Sequence, residues 1–136
     1  MRDDRGSALI LGVGMVAVCL LAVVVLVDAS AAFLQRRELV SLADAAALAG
    51  AQGIDLAAYY ADGAGPATRL DPSTVTRRVH DFLAGSDPLD GMRIDDLECD
   101  GRVVRVVLSA PLTLPFLQRG SDRVVVESRA RLSYAG

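Results

Sequence analysis

The sequence has no lysine, one histidine and two cysteines, and these shortages remove several kinds of chemistry at the outset. All fourteen cations are arginine, a bias attributed to GC-rich coding, and no function follows from it. With a net charge of −3, the chain lacks the basic face or stripe that nucleic acid requires, and no nucleic-acid partner is expected. Cys19 sits inside a long apolar run and Cys99 near the end of an expected strand, so a bond between them is geometrically implausible. Cysteine usage therefore does not report the redox compartment. His80, beside Asp81, has no second histidine or cysteine near it and reads as a surface residue rather than a metal ligand. No serine stands on a glycine elbow and no cysteine pairs with a histidine. No glycine loop is placed to cradle phosphate, because Gly12-Val13-Gly14 lies within the apolar run. Neither enzymatic activity nor a cofactor is expected.

What the chain does have is one long stretch, Gly6 to Ala51, in which only isolated glycines interrupt helix formers. Hydrophobic residues make up 52% of the 136-residue chain and mean hydropathy is +0.38. This first third accounts for the excess. Ala8 to Val27 is uncharged, and its twenty residues at about 1.5 Å each span roughly 30 Å, the thickness of a bilayer core. Three readings compete for it. A cleaved secretory signal would use Ala29-Ser30-Ala31, but such signals have apolar cores of only about 7–15 residues. A lipoprotein signal ending at Cys19 is opposed by the bulky Val18 before it. A retained single-pass anchor fits best, with residues 1–7 as a short charged head and Asp28 at the membrane–water boundary. Arg2 and Arg5 precede the run, and Arg36 and Arg37 follow it at a greater distance. The closer pair favours a cytoplasmic amino end.

Beyond Asp28 the stretch becomes striped, with Phe33, Arg36 or Arg37, Leu39, Leu42, Ala43 and Ala46 at helical intervals. The helix is expected to continue to about residue 52. Small residues recur every fourth position, at Ala8 and Gly12, at Ala43, Ala47 and Ala51, and at Ala46 and Gly50. Such spacing lets a second helix approach closely, although alanine is also the best helix former in its own right. Asp44, on this alanine-rich surface, reads either as ordinary solvation or as a contact with a neighbouring chain. Asp28, Asp44, Ala43, Ala46, Ala47, Gly50 and Ala51 are thus the candidates for helix association.

Residues 53–70 read as a connection. Ile54 to Tyr60 could extend the helix briefly before the turn chemistry of Ala61 to Pro66 ends it. Asp71-Pro72 then opens a second helix, with Asp71 as N-cap and Pro72 in the first turn. Val75, Val79 and Phe82 mark its buried face and Gly85 its end. From Met92 the period becomes two. Met92 to Cys99 and Arg102 to Ala110 form a hairpin around Asp100-Gly101, with a parity slip near Asp95-Asp96 that indicates a bulge. Val104, Val106, Leu108 and Ala110 share one face. Val103, Arg105, Val107 and Ser109 share the other, so this strand could be covered on both sides. After a proline-bounded connection from Pro111 to Asp122, a last strand runs from Arg123 to Tyr134. Val124, Val126, Ala130, Leu132 and Tyr134 point inward on it, while Arg123, Glu127, Arg129 and Arg131 point outward. The expected fold class is α+β: a long N-terminal transmembrane and amphipathic helix, then a 71–136 extracytoplasmic domain with a short helix and an antiparallel sheet of about three strands.

Asp96, Glu98, Asp100 and Gly101 resemble the start of a calcium loop, but the twelfth position, which must supply a bidentate carboxylate, is Val107. Alternating acids before Asp-Gly are better read as the solvent face of a hairpin. No metal site is expected.

The run RGSALILGVGM followed by VVLVDASAAFLQRRELVSLADAAALAGA is similar to the amino-terminal region of TadE/TadG-like proteins, the membrane-anchored, pilin-related components of tight-adherence (Tad/Flp) pilus assembly. The features that carry the likeness are Arg5-Gly6, Asp28, Arg36-Arg37 and the Asp44 to Ala51 motif, and they cover roughly the first 52 residues. The resemblance implies a pilin-like, single-pass protein with a cytoplasmic amino end, an α+β domain outside the membrane and no catalysis. Its implied partners are membrane lipid and other pilus or secretion-system subunits, met through the helix in a homo- or hetero-oligomer. Gly6 carries over as a point of prepilin-type cleavage, which would make Ser7 the first mature residue and Leu11 the fifth. Pilins generally carry glutamate at that fifth position, where it offsets a neighbour's terminal amine. Leu11 cannot do so, which points to an accessory rather than a major fibre subunit. The alternative reading is a secreted or membrane-tethered binding domain unrelated to pili.

Overall fold

A computed structural model of the chain describes residues 4–54, 60–61, 69–117 and 122–131. The three N-terminal residues, the turn chemistry of 62–66, and Leu132 and Tyr134 lie outside them. Helix α1, Asp4–Ala51, is a single 48-residue rod, about 70 Å long at 1.5 Å per residue. Proline does not occur before Pro66, so no ring interrupts its hydrogen-bond ladder. It closes by tightening: the Gln52 amide donates to Ala49 O and the Gly53 amide to Gly50 O at 2.8 Å.

Helix α2, Pro72–Gly85, begins as its sequence dictates. Asp71 caps it, accepting from the Thr74 amide at 2.9 Å and from the hydroxyls of Ser73 and Thr74, each at 2.6 Å. These donors favour the charged carboxylate, whose pKa falls to about 2. Val75, Val79 and Leu83 are buried, while Phe82 is only half-buried. Leu83 lies four residues after Val79 whereas Phe82 lies three after it, and the four-residue step keeps the stripe facing α1 here.

Strands β1 (Arg93–Cys99), β2 (Val103–Pro111) and β3 (Arg123–Arg131) form one antiparallel sheet in sequence order, with β2 central. The β1–β2 turn uses Gly101 at φ 87°, a left-handed backbone that glycine adopts without cost. Asp100 Oδ1 accepts the amides of Arg102 (2.9 Å) and Val103 (2.7 Å) across that turn. The register shift falls between Ile94 and Asp96. The extra residue lets Met92 and Ile94 on one side of it, and Leu97 and Cys99 on the other, all pack on the core.

One face of the sheet lies on the upper half of α1, and α2 packs beside it against the same helix. The core joins Leu39, Ala43, Ala46, Ala47 and Ala51 of α1 to Val75, Val79 and Leu83 of α2 and to Val104, Val106, Leu108, Ala110 and Val126 of the sheet. Phe33 does not share this stripe and is 66% exposed. It lies six positions before Leu39, which turns it about 120° around the helix. Ser128 belongs to the inward set of β3. The opposite face of β2 is covered by charge rather than by a second layer. There Arg105 ion-pairs with Asp96 (3.2 Å), Glu98 (2.9 Å) and Glu127 (3.0 Å), the last in a geometry too bent for its Nε to donate. Arg105 and Arg129 hold the Glu127 carboxyl below its usual range. The guanidinium of Arg123 donates to the otherwise buried Ser109.

At Gly50 the side chains of α2 and β2 close in on α1. A Cβ there would lie 2.9 Å from Val79 Cγ2, 3.1 Å from Val104 Cγ1 and 3.3 Å from Val75 Cγ1, whereas at Gly12 it would meet nothing within 4 Å. All three neighbours are stiff β-branched side chains. Gly50→Ala should therefore destabilise the fold by about 1–3 kcal/mol, read as a lower melting temperature of the full chain in detergent. Gly12→Ala should leave that temperature unchanged.

Candidate functional site

From Gly6 to Val27 every side chain of α1 is exposed except half-buried Val24. Among the described residues α1 is the one helix long and apolar enough to cross a membrane. The next residue, Asp28, is 4% exposed and is the only buried residue bearing a formal charge among those described. Its two carboxylate oxygens are both used: Oδ1 accepts the Phe116 amide at 3.1 Å and Oδ2 the Leu117 amide at 2.8 Å. Burying a carboxylate is costly unless its oxygens find donors, and here the donors are backbone amides of the segment joining β2 to β3.

That segment, residues 112–117, is held at both ends of its course. Its base closes with the Leu112 amide donating to Asp122 O at 2.9 Å. The Thr113 amide then donates to Gln35 Oε1 at 3.1 Å. Gln35 and Asp28 are seven residues apart, two turns along one helix face, so the chain descends about 10 Å along α1 between these contacts. The sequence marks 111–122 as a connection but does not reveal this docking. The available signal was its composition, since Leu-Thr-Leu-Pro-Phe-Leu is unusually apolar for a loop.

The other helix-association candidates are placed differently. Ala43, Ala46, Ala47, Gly50 and Ala51 are buried, and they pack against this chain's own sheet and second helix rather than standing open to a neighbour. Their small size serves close approach, and the elements that approach here belong to this chain. Asp44 also finds its partner within the chain, accepting from Ser128 Oγ at 2.5 Å. Gly6 is exposed on the first turns of α1. The α1 surface left open above Asp28 carries Phe33, Leu34, Val40 and Leu48, at 66%, 61%, 37% and 60% exposure.

The hairpin acids Asp96, Glu98 and Asp100 are taken up by partners within the chain. Asp96 and Glu98 turn to Arg105, and Asp100 is taken up by its own turn. Among the described residues no group of three or more histidine, cysteine, aspartate or glutamate side chains is arranged to hold a metal. His80 lies exposed on α2.

Fold and site together define a small α+β domain clamped to the upper half of one long helix whose lower half suggests a membrane anchor. Residues 6–53 match the family described as putative Flp pilus-assembly TadE/G-like, the family that the sequence resembles. The match ends just past α1 and takes in both aspartates and the alanine row. No curated protein and no solved structure matches the chain.

If Asp28 is what docks the segment, Asp28→Ala should release the Phe116 and Leu117 amides. Hydrogen bonds to a charged acceptor contribute about 1.5–3 kcal/mol, so exchange at these two amides should accelerate by about 10- to 100-fold. Amide hydrogen exchange on the full chain in detergent reads this directly. Unchanged exchange there would contradict the docking, and the β2 amides, remote from Asp28, serve as the internal reference.

Proposed function

We propose that the chain is a non-enzymatic, membrane-anchored, pilin-like component of Tad/Flp pilus assembly or a related secretion machine. The observation that carries this reading is the match of residues 6–53 to the pilus-assembly family, which supports a pilus-related role. The shape of α1 supports the finer parts of it. Its lower half is apolar on all sides, as a helix surrounded by lipid must be. We place the amino end in the cytoplasm and the α+β domain outside, following the closer approach of Arg2 and Arg5 to the run.

Other subunits would meet the protein along α1. The small-residue row is occupied by the chain's own domain, so the surface for partners is the apolar run together with the exposed Phe33, Leu34, Val40 and Leu48. Gly6 is the point at which a prepilin-type peptidase would cut. Leu11, in place of an acid, favours an accessory role over a place in the body of the fibre.

Deleting the gene should reduce surface pili counted by electron microscopy, and the intact gene should restore them. A complementing copy carrying Leu34→Glu and Leu48→Glu should reach the membrane fraction yet fail to restore piliation. Unchanged piliation in the deletion strain would overturn the proposed role and favour a tethered binding domain. Full piliation with the double variant would overturn the proposed partner surface.

A further inference from the structure

We propose that the loop tip at Phe116 and Leu117 is a second membrane contact, immersed in the headgroup–acyl boundary beside the point where α1 leaves the bilayer. This rests on reading α1 as a membrane anchor. Three observations converge on it.

The first is height. Side chains on a helix lean toward its N-terminus, so the Asp28 carboxylate lies over the turn that contains Val24 to Val27. The Phe116 and Leu117 amides bonded to it are thus level with the last turn of the apolar run. Val24, one turn before Asp28 on the same face, is the only half-buried residue of that run, as expected if the tip leans on it.

The second is exposure. Phe116 is 62% and Leu117 53% exposed, although both are anchored by their backbone. Outside α1, the exposed large apolar side chains among the described residues are these two, Tyr60 and Val125. Only Phe116 and Leu117 adjoin each other and join the apolar run. Val125 is on the sheet strand bearing Glu127 and Arg129, away from the exit turn.

The third is backbone satisfaction. A peptide group entering the apolar boundary must bring a hydrogen-bond partner with it. The amides of both tip residues donate to Asp28, so the tip presents two apolar side chains without an open donor at either. The same bonds satisfy a carboxylate that would otherwise stand unpaired at the membrane edge. The bilayer is chosen as the occupant because the patch is continuous with the surface of α1 that lipid already covers.

The sequence contains no tryptophan, so one introduced tryptophan reports its own surroundings. Full-length Phe116→Trp, Leu117→Trp, Val18→Trp and Val125→Trp would be reconstituted separately into phosphatidylcholine vesicles. The acyl chains would be brominated either near the carboxyl end or near the methyl end. Phe116→Trp and Leu117→Trp should show blue-shifted emission that is lost mainly to the shallow bromines. Val18→Trp should lose its emission mainly to the deep ones, and Val125→Trp should emit as in water with either lipid. Water-like, unquenched emission from both tip reporters, with Val18→Trp quenched, would overturn the tip contact and leave the anchor standing. Blue-shifted but unquenched tip emission would indicate contact with a second copy of the chain and overturn the lipid assignment. An unquenched Val18→Trp would overturn the anchor itself. The second tip reporter guards against a single variant that disturbs the loop.

Discussion

The structure depends on how one carboxylate is solvated. Asp28 follows directly on the apolar run and is nearly inaccessible, in a position where an unpaired charge would be prohibitive. Two backbone amides from the far end of the chain satisfy it, and those amides come from the connection between β2 and β3. The pairing therefore fixes more than a loop. With Gln35 holding the same segment two turns higher and Asp44 tied to Ser128 on β3, it sets the height and rotation of the domain on the helix.

The upper half of α1 is as much a part of the domain as the sheet is. A three-stranded sheet needs a cover for its apolar face, and Leu39, Ala43, Ala46 and Ala47 provide it. Alanine suits this seam because it lets the sheet approach the helix axis, and Gly50 lets side chains of α2 and β2 close in. The price is that the domain has little core of its own. Whatever moves or tilts α1 moves the domain with it.

Much of this was legible in the sequence because it rests on local signals. An unbroken apolar run followed by a striped helix gave the rod, Asp71-Pro72 the start of α2, Asp100-Gly101 the hairpin, and the parity slip at Asp95-Asp96 the bulge. The resemblance to pilus-assembly proteins rested on the same helix that the family model covers. What escaped was long-range. Asp28 reads as a boundary marker and Asp44 as a solvated or intermolecular residue, because nothing local says that their partners lie more than eighty positions away. The alanine row reads either as a seam for another helix or as plain helix-forming composition, and in the structure it packs in the chain's own core. Phe33 reads as part of the stripe with Leu39, although a spacing of six positions puts the two on different faces.

The central claim is that one continuous helix passes from lipid to protein core at Asp28. It is tested most directly by spin labels placed singly from Leu20 to Leu39 in a background with Cys19 and Cys99 replaced by alanine, using the full chain in vesicles. Power saturation then compares collisions with oxygen and with a water-soluble nickel complex. The account predicts oxygen-dominated, lipid-like collisions through Val27. Collisions should cross over within the turn after Asp28 and then alternate with helical period between the aqueous face of Phe33 and Leu34 and the protected core at Leu39. Aqueous collisions between Leu20 and Val25, or lipid-like collisions continuing unbroken to Leu39, would contradict it.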